Sequence, residues 1–407
     1  MRIFFSVGEP SGDLHGANLI RQLKRTDSSI EFVGFGGPQM QSLGMRPLRD
    51  LTKFAVMMFW QVFLKIPTFY RFYREANRYL ANNQVDAVVL IDFPGFNWWI
   101  AKAAKRHGIP VYYYGVPQMW AWAPWRIHKL KKRVDHVICK LPFEETWFRK
   151  RGVQAVYVGH PYFDELASRA VDQDFLQVYD DEHTRLLTLL PGSRDQEVQN
   201  NLDWMLEAAE EVTRKNSDVC VAIACFNQQQ YQVVSQTVKQ RRLPFDVMAN
   251  RTPELIELAD ICLACSGSVS LELMFHRKPT VIVYRISTLQ KFLKSIFVKV
   301  PFITLVNLFW LKEIEQPTVQ VPVASSPHVP FPEFACTDNP SQPMAKQLNS
   351  WLNNEHEYRR RVEQLDQINS DVVMLGASER AASYILNSLG HLAIERHEPS
   401  VQLRRAA

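Results

Sequence analysis

The sequence predicts an α/β protein built from two Rossmann-like, doubly wound parallel-sheet domains. Three observations carry that expectation. Short apolar runs alternate with segments of helical period along most of the chain. The runs lack the polar alternation of half-exposed strands, as expected where helices cover both faces of a parallel sheet. The rhythm lapses once, near residues 166–184, and then restarts. A length of 407 residues also exceeds what one ordinary core accommodates.

In chain order, strands are expected at residues 3–7, 30–35, 86–91, 111–114, 136–139 and 155–158. Helical patterns fall between them: Leu14, Ala17, Ile20 and Leu23 recur at helical spacing, and residues 98–106 and 142–149 do likewise. These elements make a first domain over residues 1–165, and residues 166–184 read as a linker. A second domain over residues 185–345 carries expected strands at 186–190, 219–224, 245–248, 261–264 and 280–284. Residues 346–407 read as C-terminal helices, free to pack back on the first domain, with a frayed end.

Hydrophobic residues at 46% and charged residues at 22% describe a globular chain. The net charge of +5 is too small and dispersed to suggest a nucleic-acid partner. The apolar run at the N-terminus is too short for a signal peptide. The most apolar stretches, 54–70 and 292–310, are broken by Gln61, Lys65 and Pro67 and by Lys294, Lys299 and Pro301, so neither is expected to span a bilayer. Six cysteines suggest no disulfide framework. Cys262 and Cys265 form a C-x-x-C inside an expected strand, where an odd offset sends the thiols to opposite faces and favours buried free cysteines over a metal or redox pair. The expected location is the cytoplasm.

Four motifs follow expected strands, where open α/β sheets bind their ligands. Gly8-Glu9-Pro10-Ser11-Gly12-Asp13 opens the first helix, suited to an anion or polar sugar group, or simply to a turn capped by Ser11 or Asp13. It lacks the G-x-G-x-x-G fingerprint, which disfavours a nicotinamide cofactor. Asp92, between Ile91 and Phe93, is either a base toward a hydroxyl or a helix cap. Gly192-Ser193-Arg194 combines amides, a hydroxyl and a guanidinium fit for a diphosphate, although a surface arginine after a turn reads the same way. Ser266-Gly267-Ser268, with Glu272 one helical turn on, suits phosphates and a ribose. Two anion-suited loops and one sugar-suited carboxylate in a single domain point to a nucleotide. No metal is expected. The D-x-D at Asp172–Asp174 lies in the linker and reads as a solvated acidic run, and the eleven histidines form no ligand-spaced set. His160 is either a cleft residue or a packed one.

A fifth feature is aromatic and basic. Val56, Phe59, Trp60 and Phe63 precede Arg71, Arg74 and Arg78, which share one helical face, and Phe292, Leu293, Lys294, Phe297 and Lys299 repeat the theme. Such segments are buried core helices or interfacial elements with cations at anionic headgroups. Here Val56, Phe59, Trp60, Phe63, Arg71 and Arg74 are the expected membrane contacts.

With GEPSGD at 8–13, FVGFGG at 32–37, IDFPGFN at 91–97, VPQMWAW at 116–122, LPFE at 141–144, VGHP at 158–161, LLPGSR at 189–194, SGSVSLE at 266–272, ITLVN at 303–307 and FPEF at 331–334, in that order, the chain resembles the lipid-A-disaccharide synthases. These are inverting glycosyltransferases of GT-B architecture, with a central cleft between two Rossmann-like domains. The resemblance implies transfer from UDP-2,3-diacylglucosamine to 2,3-diacylglucosamine 1-phosphate, giving a β-1′,6-linked disaccharide and UDP, without metal or cofactor. It implies Asp92 as general base and Glu9 as a second catalytic residue in the cleft, and Ser11, Asn97, Trp120 and Asn307 as substrate contacts. Gly192, Ser193, Arg194, Ser266, Gly267, Ser268 and Glu272 would hold the nucleotide. Peripheral attachment to the cytoplasmic face of the inner membrane is implied, and a homodimer is compatible. The family's second carboxylate in D-x-P-D-F-N is Gly95 here, and the loop 316–332 is longer and richer in Pro and Val than expected. The alternatives are another GT-B transferase or UDP-sugar epimerase with a soluble substrate, or a non-catalytic, membrane-associated nucleotide-sugar binder.

Overall fold

The computed structural model describes residues 1–54, 65–182, 185–311 and 324–390. Seven strands form the first sheet: β1 (Arg2–Val7), β2 (Glu31–Phe35), β3 (Arg46–Arg49), β4 (Ala87–Ile91), β5 (Val111–Tyr114), β6 (His136–Cys139) and β7 (Ala155–Tyr157). Six form the second: β8 (Arg185–Leu190), β9 (Val219–Cys225), β10 (Asp246–Ala249), β11 (Ile261–Cys265), β12 (Thr280–Arg285) and β13 (Glu333–Cys336). The orders are β3-β2-β1-β4-β5-β6-β7 and β10-β9-β8-β11-β12-β13. Every pairing is parallel. Each order reverses once, between β1 and β4 and between β8 and β11, the signature of a doubly wound sheet.

The central strands are apolar because both faces are covered. Ile3, Phe5, Val89 and Ile91 pack on one side of the first sheet, and Phe4, Val88 and Leu90 on the other. Each such side chain contributes roughly 1.5–3 kcal/mol by leaving water. The outer layer is completed from the far end of the chain: Ala381, Ala382, Ile385 and Leu386 of helix Ala377–Ser388 join the Ile3 cluster. Asp164 holds the start of that helix, accepting from the amides of Gly376 and Ala377 at 2.6 and 3.0 Å.

The structure adds to the sequence reading in two places. Residues 166–184, expected as a linker, contain helix Gln173–Glu182. Phe175 stacks on Tyr179 at 5.5 Å, Tyr179 donates to Asp246 at 2.8 Å, and Arg251 lies over the Phe175 ring. Asp172 and Asp174 are exposed, as expected of a solvated acidic run, and Asp172 pairs with Arg251 at 2.7 Å. The strands β3 and β13 went unexpected because β3 is a polar sheet edge (RPLR) and β13 begins on a glutamate, Glu333, that is buried. Cys262 and Cys265 are free and buried, and burial pushes both thiols up to about 12, where they carry no reactive thiolate.

Candidate active site

Strand ends flanking the reversal of a doubly wound sheet splay apart and leave a crevice. In the first sheet those strands are β1 and β4, registered Val7 to Ile91, so the next residues along each chain bring Glu9 and Asp92 to one crevice. In the second sheet they are β8 and β11, registered Leu190 to Ala264, which brings Gly192–Arg194 to the Ser266–Ser268 turn.

The first crevice is a cavity of about 310 Å³ lined by Glu9, Ser11, His15, Asp92, Lys140 and His160 among others, with Leu305 reaching it from the second half. Asp92 and Phe93 both have left-handed backbone, with φ of 46° and 41°. That conformation is costly outside glycine and is held here from below. The buried Asn97 donates Nδ2 to the carbonyls of Asp92 at 2.8 Å, Ser6 at 3.1 Å and Ile91 at 3.2 Å, and accepts from Ser6 Oγ at 2.6 Å. Tyr113 donates its hydroxyl to the same Asp92 carbonyl at 2.7 Å. The Asp92 carboxylate meets Lys140 Nζ at 3.2 Å through Oδ1. Glu9 is pushed above the usual carboxylate range, first by burial and then by Asp92, while Lys140 and Arg194 oppose the shift. The charge of Arg194 thus reaches Glu9 from the other half of the molecule. His15 is pushed down to about 3 by burial with Lys140 adding to it, and His160 is lowered for the same reasons, so both stay neutral.

The second crevice is a cavity of about 580 Å³ that combines Gly192, Ser193, Arg194, Ser266, Gly267, Ser268 and Glu272 with Tyr162 and Arg169, and with Phe226, Asn250 and Thr252. Arg194 is well exposed, its side chain 81% accessible, and its Nη1 reaches Glu197 at 2.8 Å. Glu197 also accepts from the amides of Ser193 and Arg194, each at 3.2 Å. Gly192 has φ of 131°, and a Cβ there would stand 2.6 Å from Glu197 Cβ, so only glycine permits this approach. Glu272 is enclosed, taking the Tyr162 hydroxyl at 2.7 Å and Arg169 Nη1 at 2.5 Å.

This fold recurs in solved structures. UDP-GlcNAc 2-epimerase from Neisseria meningitidis, bound to UDP-GlcNAc, superposes with a TM-score of 0.59 at 12% identity over 95% of this chain and 100% of that one. A calicheamicin glycosyltransferase gives 0.59 at 14% identity over 97% and 99%. Such likeness speaks to the fold, which is that of GT-B glycosyltransferases and epimerases. The family model for lipid-A-disaccharide synthetase matches residues 3–364. The chain belongs to the lipid-A-disaccharide synthetase family. It is a glycosyltransferase of lipid A biosynthesis. The lipid-A-disaccharide synthase of Nitrosococcus oceani is 32% identical over 303 residues, covering 74% of this chain and 78% of its own length. That of Geobacter sulfurreducens is 28% identical over 390 residues, covering 96% and 97%.

Within this synthetase chain not every expected residue meets a cavity. Glu9, Ser11 and Asp92 line the first crevice, and all seven expected nucleotide residues line the second. Asn97, Trp120 and Asn307 do not line either. Asn97 and Asn307 are fully buried and Trp120 nearly so. Asn307 exchanges two hydrogen bonds with the Phe331 backbone and donates to Glu333, while Trp120 donates to Glu144 at 3.0 Å. In this structure the polar atoms of these three, expected as substrate contacts, are consumed internally and their surfaces are closed. They hold neighbouring loops. Sequence reasoning missed His15, Lys140, Tyr162 and Arg169. Lys140 directly follows a strand and could have been found by the strand-end rule; Arg169 sat in the apparent linker and carried no signal.

Val56, Phe59, Trp60 and Phe63 lie outside the described residues. Arg71 and Arg74 are exposed on helix Ile66–Asn82, opposite its buried Phe72, Ala76 and Leu80. Exposed Trp122 and Trp125 adjoin helix Thr288–Phe297 through a bridge between Trp122 and Val298, so Leu289, Phe292 and Phe297 join them as exposed apolar side chains. Among the described residues no helix is long and apolar enough to cross a membrane, and no group of three His, Cys, Asp or Glu is arranged to hold a metal ion.

Proposed function

We propose that this chain joins UDP-2,3-diacylglucosamine to 2,3-diacylglucosamine 1-phosphate, with Asp92 as general base. The observation that carries the reading is the pair of crevices at the two sheet reversals: carboxylates at the reversal of the first sheet, and an arginine with small-residue turns at the reversal of the second. The acceptor 6-oxygen attacks the anomeric carbon of the donor, its proton passes to Asp92, and UDP leaves with the bonding electrons on the opposite face. Inversion follows from that in-line displacement. Arg194 and the 266–268 turn stabilise the charge that develops on the departing diphosphate, a role suited to donors already in place. Metal is not required by this scheme. For the nucleotide to use the amides of Ser193 and Arg194, Glu197 must turn aside.

The acylated substrates call for a lipid surface. Exposed Trp122, Trp125, Leu289 and Phe292, with Arg126 over the Trp122 ring and Arg71 and Arg74 exposed on helix Ile66–Asn82, support peripheral attachment to the cytoplasmic face of the inner membrane. A homodimer is compatible with the reading and is not needed for it. The test is incubation of the purified protein with both substrates in detergent, followed by analysis for disaccharide 1-phosphate and UDP. Product from the natural chain, with retained UDP binding but lost transfer in Asp92→Asn, supports the assignment. Absence of product from well-folded protein overturns the substrates, and undiminished turnover in Asp92→Asn overturns the base.

A further inference from the structure

Lys140 occupies a built position rather than a chance one. It is the one lysine or arginine among the described residues lining the first crevice, and its side chain is 18% accessible beside an Asp92 side chain of 22%. Its Nζ stands 3.2 Å from Asp92 Oδ1. Its backbone is fixed by the buried Glu144, whose Oε2 accepts from the amides of Lys140 at 3.2 Å and Leu141 at 3.1 Å while Oε1 accepts from Trp120. The path its side chain takes exists because residue 115 is glycine. A Cβ on Gly115 would stand 2.5 Å from Lys140 Cε, 2.6 Å from Nζ and 3.1 Å from Asp92 Oδ1.

We propose that Lys140 is the positioning residue of the transfer reaction: it pins Asp92 Oδ1 and so presents Oδ2 to the acceptor hydroxyl. This rests on the reading of Asp92 as general base. A free aspartate rotates about its last torsion, which spreads the oxygen over geometries that do not meet the hydroxyl. With Oδ1 tied to a fixed ammonium, and with the backbone of Asp92 itself held by Asn97 and Tyr113, one oxygen is left to do the chemistry. Lys140 has a second consequence. The titratable groups around this crevice are Glu9 from the loop after β1, Lys140 from the end of β6, the buried Glu144 from the helix that follows it, Tyr113 and Tyr114 on β5, and His15 and His160, both neutral; Arg194 acts on Glu9 from the second domain. Without Lys140, Glu9 loses one of the two cations that oppose its upward shift and holds its proton to a higher pH.

The experiment compares the natural chain, Lys140→Met and Lys140→Arg in detergent, measuring kcat, KM for both substrates, the pH profile of kcat/KM and UDP affinity. For Lys140→Met we expect kcat to fall at least tenfold, KM to stay within about threefold, UDP affinity to be unchanged, and the acid limb of the profile to move up by about one pH unit. Lys140→Arg should recover part of kcat and return the limb toward its natural position. A fall in kcat with no movement of the limb and no rescue by arginine makes Lys140 merely structural and overturns the proposal. Natural kcat in Lys140→Met overturns it too. Should Lys140→Met lose UDP affinity through misfolding, Gly115→Ala tests the same contact by crowding Nζ while keeping the charge, and an unmoved kcat there overturns the proposal. Inactivity of the natural chain would instead count against the substrate reading, and full activity of Asp92→Asn against the base.

Discussion

Replacing Asn97 by alanine should separate the support of the catalytic loop from the loop itself. Asn97 is fully buried and binds Ser6 Oγ at 2.6 Å and the carbonyls of Ser6, Ile91 and Asp92. The Asp92 carbonyl retains Tyr113, so the group left orphaned is the buried Ser6 hydroxyl. An unsatisfied buried hydroxyl costs about 1–3 kcal/mol, and the other lost bonds add roughly 1 kcal/mol. The sum is about 2–4 kcal/mol, which shifts a urea midpoint by about 1 M at a slope near 3 kcal/mol per M. Activity should fall further than stability, since the left-handed backbone at Asp92 and Phe93 costs about 1–3 kcal/mol per residue and loses its main brace. Urea unfolding and disaccharide formation are measured on Asn97→Ala, Ser6→Ala and the double variant. The double variant should regain part of the stability, because it removes the orphan along with its partner. An unchanged midpoint in Asn97→Ala, or a double variant that simply adds the two losses, refutes the account.

Three further outcomes are expected. His15 has a folded value of about 3 against about 6.5 in the unfolded chain, so below pH 6.5 the unfolded state takes a proton that the folded state refuses; stability is complete above pH 6.5 and declines toward pH 3, by about 1.4 kcal/mol per pH unit for each such histidine. His15→Asn should halve that slope, leaving the part due to His160, and an unaltered slope counts against it. Glu197→Gln should tighten UDP binding several-fold by calorimetry, since it removes a negative charge from amides that suit a diphosphate; tenfold weaker binding would show that Glu197 organises the loop instead. Arg169→Ala leaves the enclosed Glu272 with only the Tyr162 hydroxyl and should cost about 2–3 kcal/mol in urea unfolding, below the fully buried range because Arg169 is partly exposed. Adding Glu272→Gln should restore most of the loss, and no recovery would mean that Arg169 stabilises through packing rather than charge.

The sequence by itself determined the α/β class, most strands, and the loops that bear the chemistry. Those are local matters: buried parallel strands read as apolar runs such as Val88–Val89–Leu90, and strand-end loops such as Gly192–Arg194 carry their composition openly. It also bore the family resemblance, because the motifs keep their order along the chain. Only the tertiary structure decided which polar residues line a crevice. Asn97, Trp120 and Asn307 sit in motifs that look functional, yet folding turns their polar atoms inward to brace backbone or buried carboxylates, a distinction that depends on neighbours up to 91 residues away. The reverse holds in part for Lys140: its place at a strand end is legible in Cys139-Lys140-Leu141, but its partner is not. Its significance comes from the side chain missing at Gly115 and the carboxylate of Asp92, 48 residues earlier. Strand order sets both outcomes. Which strands become neighbours across the reversal point is fixed by how helices of distant segments cover each sheet, and no window of sequence contains that information.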